Sequence, residues 1–248
     1  MVNSLNAAIL VIGNEILSGS TQDANIAFIA KRLAARGVEL TEVRIVRDIE
    51  GQIVGTLNDL RNKYKYVFTT GGIGPTHDDI TAECVSKAFG VPHVIHEGVR
   101  QEMEELYKAR GVELNAARLR MATMPQGCEL VKNPVSGPPG FKMGNVFVMA
   151  GVPKIMQGMF EHVETMLETG KPMLARTVRC NQREGDIAED LGTVQKKYPD
   201  IDIGSYPHMF QTPSLSLILR GTDAAQLEAA TKEVAALVIA RGEEPEIV

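Results

Sequence analysis

The sequence predicts an α/β protein, a three-layer sandwich around a mostly parallel sheet, with a small α+β domain behind it. Over the first 90 residues, apolar runs of strand length alternate with helical periodicity, as a sheet buried on both faces requires. One of these runs ends in a glycine-rich loop, at the position where such sheets bind ligands. Beyond residue 170 the order changes to β-α-β-β-α, which suits an antiparallel sheet with helices. The expected domains are therefore residues 1–170 and 171–248.

AAILVIG (7–13) is a continuous apolar strand. Asn25 to Arg36 sets Ile26, Ile29 and Leu33 on one helical face and stops at Gly37, a left-handed cap. VELTEVRIV (38–46) is the next strand, and Ile49, Ile53, Leu57 and Leu60 mark a second helix. KYVFTT (65–70) is the third strand, with a helix expected over Asp78 to Phe89. Residues 97–124 read as helical twice over, with a break near Gly111. ELVKNP (129–134) and NVFVMAG (145–151) read as strands, and VSGPPGF between them as a turn-rich loop. Pro153 opens a helix whose apolar stripe, Ile155 to Leu167, is core. TGKPM (169–173) reads as a linker into the smaller domain, which ends in a helix from Asp223 to about Arg241.

Composition narrows the function classes. Net charge is −5, lysines and arginines are scattered, tryptophan is absent and aromatics are 5%. Those figures oppose nucleic-acid binding, which needs a basic footprint and stacking surfaces. No apolar segment approaches bilayer length, and MVNSLNAAILVIG lacks the basic start and cleavage site of a leader. Cys84, Cys128 and Cys180 are odd in number and widely spaced, which fits reduced thiols in a cytoplasm. Zinc spacing is absent.

The chemistry concentrates in TTGGIGPTHDD (69–79). Gly71, Gly72 and Gly74 permit close backbone approach and positive φ, and successive N–H groups before a helix form an anion nest. No Gly-Lys-Ser/Thr follows, so this is not a Walker A loop. Thr76 and Asp79 also have capping-box spacing, so the acids serve the helix start, a ligand, or both. Two further strand ends release acids: Glu15 after the first, Asp48 after the second. Carboxylates gathered there beside an anion nest suit a hard divalent cation on phosphate oxygens. His77 reads as solvent-facing. Lys142 and Lys154 read as surface charges, and Tyr206 as a local packing residue. Asn133 and Ser136 supply neutral hydrogen-bonding groups in the later turn.

GNEIL, DANIAFIAKRL, VRDIEGQI, TTGGIGPTHDDIT, NPVSGPPGF and AGVPKIM together resemble the molybdopterin-binding domain family of molybdenum-cofactor biosynthesis enzymes, in particular its CinA N-terminal branch. The resemblance spans about residues 5–168 and continues through IGSYP and the LRG strand. It implies that family's three-layer fold and a metal-dependent pyrophosphatase acting on a nucleotide diphosphate, ADP-ribose first. A related domain of eukaryotic FAD synthases implies FAD hydrolysis. The alternative is a molybdopterin- or nucleotide-binding protein without catalysis.

By motif, Asp48 and Asp79 match acids of the adenylyltransferase branch, and Gly71, Gly72, Gly74 and Thr76 match its phosphate loop. Taken with the residue pattern, the expected substrate contacts are these four with Pro75, Asn133, Ser136 and Gly140. The expected catalytic residues are Asp48, Asp78 and Asp79, and the expected metal ligands Glu15, Asp48 and Asp79. The implied metal is Mg²⁺, Mn²⁺ or Co²⁺, with room for a monovalent cation, and the implied assembly is a homo-oligomer. Departures fall elsewhere. The usual GDE is GNE at 13–15. The usual Gly-Thr-Ala-Pro-Gly is SGPPG at 136–140, and Ile155 replaces an acid. CinA relatives carry a deamidase domain after this region, where this sequence ends at Val248.

Overall fold

The computed structural model describes residues 5–208, 210 and 212–248; the Met1–Ser4 part of the run weighed as a leader lies outside these. Contacts divide the chain into two compact units, one running to Gly170 and the other from Lys171 to Val248. In the first unit the elements are β1 (Asn6–Ile12), α1 (Asn14–Leu17), α2 (Asn25–Ala35), β2 (Glu39–Val46), α3 (Glu50–Lys63), β3 (Tyr66–Thr70) and α4 (Thr81–Phe89). They continue with β4 (His93–Ile95), α5 (Glu97–Ala109), α6 (Ala116–Leu119), a 3₁₀ turn (Arg120–Ala122) and β5 (Thr123–Pro125). The last are β6 (Glu129–Asn133), β7 (Gly137–Met143), β8 (Val146–Met149) and α7 (Pro153–Glu164).

Six strands form one sheet in the order β2-β1-β3-β8-β7-β6. The pairs β1–β2, β1–β3 and β3–β8 are parallel, whereas β7 runs antiparallel to both β8 and β6. Strand periodicity sends alternate side chains to opposite faces. Ala8, Leu10 and Ile12 of β1 join one core with Val67, Val146 and Val148, under α3, α4 and α5. Ala7, Ile9 and Val11 join the other with Phe68, Phe147 and Met149, under α2 and α7. There Phe68 stacks on Phe147 at 5.4 Å between centroids and lies 5.6 Å from Phe160 of α7.

Three expectations are corrected. VSGPPGF is largely strand, not loop. Pro138 and Pro139 cannot donate ladder bonds, but the β6–β7 register shifts between Val131 and Asn133, so the two prolines pass at an irregularity. The helix expected from Asp78 begins at Thr81, and its N-cap, Ile80, makes no side-chain cap bond. Thr76 and Asp79 close a separate turn before it, with the Asp79 N–H on the Thr76 carbonyl at 3.3 Å. Finally, the second helix within 97–124 shrinks to the four residues of α6 and the following 3₁₀ turn.

The second unit comprises β9 (Leu174–Cys180), α8 (Glu184–Lys197), β10 (Asp202–Pro207), β11 (Leu215–Gly221), α9 (Ala224–Ile239) and β12 (Glu246–Ile247). Its antiparallel sheet has the order β10-β11-β9-β12; the short β12 has no signal in the sequence pattern. Asp223 caps α9 by accepting from the N–H groups of Ala225 and Gln226. Tyr206 lies in this unit, its hydroxyl accepting from Arg220 at 3.4 Å.

At Gly140 of β7 a Cβ would lie 2.2 Å from the Val148 carbonyl oxygen. We expect Gly140→Ala to cost about 3 kcal/mol or more in urea unfolding, because β7 must separate from β8. Gly55→Ala, in the exposed middle of α3 with no neighbour within 4 Å, should instead stabilise by about 1 kcal/mol.

Candidate functional site

The parallel strands β1, β2, β3 and β8 all end at one edge of the sheet, and the β6–β7 turn returns to that edge. The segments that follow them line a cavity of about 510 Å³. Glu15, Asp48, Gly71, Gly72, Gly74, Pro75, Thr76, Asp78, Asp79, Asn133 and Ser136 all reach it. Gly140 does not: its glycine requirement belongs to β7–β8 packing. Ile12, Met121, Pro138, Val152, Ile155 and Met159 give the cavity apolar walls.

The glycine loop is held from two sides. Gly71 has φ +104° and Gly72 φ +67°; Cβ atoms there would lie 2.1 Å from the Ile12 carbonyl oxygen and 2.1 Å from Thr81 Oγ1. Thr81, fully buried, donates its hydroxyl to the Gly71 carbonyl at 3.0 Å and its N–H to the Gly72 carbonyl at 2.9 Å. Gly71 N–H donates to the Met149 carbonyl at 3.1 Å. Among the described residues, the N–H groups of Gly72, Ile73 and Gly74 donate to no protein acceptor. Three successive free donors at a cavity wall are the kind of backbone concavity that can take an anion.

The acids behave differently from one another. Asp48 Oδ2 accepts from the Asn14 N–H at 2.9 Å. Burial pushes the Asp48 carboxyl above its usual range, against the Asn14 bond, and the charges of Glu15 and Asp78 push the same way. Asp78 is lowered, chiefly by the Thr76 hydroxyl 2.6 Å away. Asp79 Oδ2 accepts from the Thr76 N–H at 2.8 Å and lies within reach of the same hydroxyl, so it braces the loop.

Asn133 is likewise occupied. Its amide donates to Ser136 Oγ and the Pro138 carbonyl at 2.6 and 2.7 Å, and its oxygen accepts from the N–H groups of Val135 and Ser136. It builds the turn and leaves Ser136 to face the cavity. The His77 side chain is 96% exposed, and Lys142 pairs with Glu129 at 2.9 Å; neither it nor exposed Lys154 lines the cavity.

The expected metal cluster is not preformed: among the described residues, no three Asp, Glu, His or Cys side chains gather around one point. The donors still fit a cation that arrives with its ligand. They are hard oxygens, and Mg²⁺ in particular is usually held by one or two carboxylates plus phosphate oxygens. Asn25 Oδ1 and Thr70 Oγ1, both buried and without a partner among the described residues, line a separate cavity of about 50 Å³, room for a water. Sequence reasoning missed Thr81, whose role depends on a tertiary contact with the loop. It also missed Arg120, whose guanidinium donates to the Asp79 carbonyl at 3.3 Å; nothing in its local pattern marks it.

The family model described as "Probable molybdopterin binding domain" matches residues 8–169. The chain belongs to this family. Residues 172–242 match the model for the FAD synthase middle domain. A protein of Archaeoglobus fulgidus is 35% identical over 199 residues, covering 80% of this chain and 84% of that one. A CinA-like protein of Myxococcus xanthus is 32% identical over 219 residues, covering 82% of this chain; the chain spans 52% of that relative's length. The crystal structure of CinA from Thermoplasma acidophilum, 32% identical, superposes with a TM-score of 0.61 over 66% of this chain and 98% of that one. The molybdopterin-binding family's mostly parallel sheet is thus the fold of the first unit. Among the described residues, no helix is long and apolar enough to cross a membrane.

The raised Asp48 gives a stability test for this molybdopterin-binding domain. A carboxyl whose folded pKa lies above its unfolded value leaves the protein most stable below the unfolded pKa. That stability is lost as pH rises through the folded pKa. In EDTA, Asp48→Asn should therefore raise the urea midpoint at pH 7, and the gain should vanish as pH falls below 4.

Proposed function

We propose that the protein hydrolyses the diphosphate bond of a nucleotide, with ADP-ribose as its first candidate substrate and a divalent cation as cofactor. The observation that carries this reading is the juxtaposition of three unpartnered N–H groups, at Gly72, Ile73 and Gly74, with Glu15, Asp48 and Asp78 on one cavity. A site with donors alone would bind an anion. Acids beside such donors would repel an anion unless a cation lay between them.

The loop N–H groups bind diphosphate oxygens, and the apolar walls take the base while Ser136 orients it. Glu15 and Asp48 would hold Mg²⁺, Mn²⁺ or Co²⁺ through their carboxylate oxygens. Such an ion, when bound, neutralises phosphate charge and lowers the pKa of water. Asp79 holds the loop through Thr76, and the proton of the attacking water leaves by way of the acidic rim. The products from ADP-ribose are AMP and ribose 5-phosphate. The partnerless oxygens of Asn25 and Thr70 suit a monovalent cation in the small cavity.

AMP release from ADP-ribose in each of the three metals, against an EDTA control, tests the reading directly. Glu15→Gln and Asp48→Asn should each lower kcat/KM by about 100-fold or more, whereas Lys142→Ala should leave it unchanged. AMP no faster than in EDTA with every metal sinks the hydrolase. A pterin retained through purification in that case favours the binding-protein alternative.

A further inference from the structure

The large sheet ends on β2, which pairs with β1 on one side and with no strand on the other among the described residues. Apart from the β1 ladder, no hydrogen bond among the described residues reaches the backbone of residues 40–45. An eight-residue edge thus presents backbone donors and acceptors open to another strand.

Apolar side chains around this edge are exposed as well. Val43 and Ile45 are each 38% exposed, Leu17 51% and Ile49 46%. The helix α1, which carries Leu17, packs on β2, and Ile49 follows the strand, so the four extend one edge. Leu17, Arg47 and Ile49 line a common depression at its carboxyl end. A strand this long, apolar and uncovered invites a second strand.

The residues of β2 identify that strand. Outward from Val43 in ELTEVRIVR (39–47), Glu42 mirrors Arg44, Thr41 mirrors Ile45, Leu40 mirrors Val46 and Glu39 mirrors Arg47. A second copy laid antiparallel about a two-fold axis at Val43 sets each residue opposite its mirror partner. Acids then face bases at both ends and near the middle. A parallel, in-register copy would instead set like charge against like. Within one chain Arg44 already pairs with Glu42 at 2.7 Å, whereas Glu39 and Arg47 make no ion pair among the described residues. Exposure alternates without a break from Glu39 to Val46, although Thr41 is an extra residue against β1. Glu39 and Arg47 have the length to span the diagonal offset that such a bulge introduces.

We propose that two copies of this chain join through β2, antiparallel about Val43, so that one sheet runs through both. The Glu39–Arg47 pairs, one at each end, set the register.

Sedimentation velocity of the whole chain should show a dimer that dissociates on dilution. Arg47→Glu and Glu39→Arg should each weaken it about tenfold or more, because each reversal sets like charges opposite at two symmetry-related places. Mixing the two variants should restore the dimer, since every acid then meets a base. Both positions are exposed, and urea midpoints check that the monomers are folded. Val43→Cys should cross-link two chains under air with a copper catalyst, because the residue on the axis faces itself, and Ile45→Cys should not. The parent, with Cys84 and Cys180 buried, is the blank. A parent that stays monomeric overturns the proposal. So does a dimer that both reversals leave intact, a mixture that stays apart, or cross-linking no better at Val43→Cys than at Ile45→Cys. Should a reversal unfold the chain, the two cysteine variants decide alone.

Discussion

The candidate site depends on how closely the backbone at Gly71 and Gly72 approaches Ile12 and Thr81. Any side chain at either glycine would overlap an oxygen atom about 2 Å away. Both glycines also hold positive φ, where other residues are strained. The buried Thr81 then bonds the two carbonyls in succession, one by its hydroxyl and one by its N–H. Those bonds turn the carbonyls toward the protein and tie the loop to the first turn of α4. What remains unpaired is the run of N–H groups from Gly72 to Gly74. At Gly72 and Ile73 the free N–H is thus the by-product of satisfying the carbonyl of the same peptide.

Around this fixed loop the acids are divided between building and facing. Asp79 and Asn133 spend their hydrogen-bonding capacity on the turns that carry them. Glu15, Asp48 and Ser136 face the cavity. Asp48 is the member held against its charge: burial and two neighbouring negative charges oppose its ionised form, and two backbone N–H groups, those of Asn14 and Asp48 itself, favour it. Keeping an ionisable group in such a place costs stability, which is a common trade at sites that bind charged ligands. The same division leaves the cavity a polar corner at Ser136, just before β7.

Much of the fold was legible because it follows from short-range rules. The apolar runs of β1, β3 and β8 lie at the centre of the sheet, and their alternate residues feed two separate cores. Gly37, Pro153 and Asp223 sit at the helix ends where their chemistry places them. The errors arose where tertiary pairing overrode local signals. Two prolines and two glycines in VSGPPGF argue for a loop, yet pairing with β6 and β8 makes most of it a strand. The Thr76–Asp79 spacing argues for a helix cap, yet the anchoring of Thr81 to the loop starts the helix later.

The sequence by itself determined the order of the main strands and helices as far as α4, the glycine loop after β3, and the acids that follow β1, β2 and β3. Those features need only the chain's own periodicity and the conformational freedom of glycine. Tertiary structure alone decided which polar groups face the cavity. Asn133 and Ser136, or Asp48 and Asp79, are equivalent in composition, and only their neighbours show which is already hydrogen-bonded. It also brought Arg120 to the glycine loop, since its nearness depends on the β4–β5 ribbon packing beside α4. A sequence names the donors and acceptors, but only the folded chain shows which have been used.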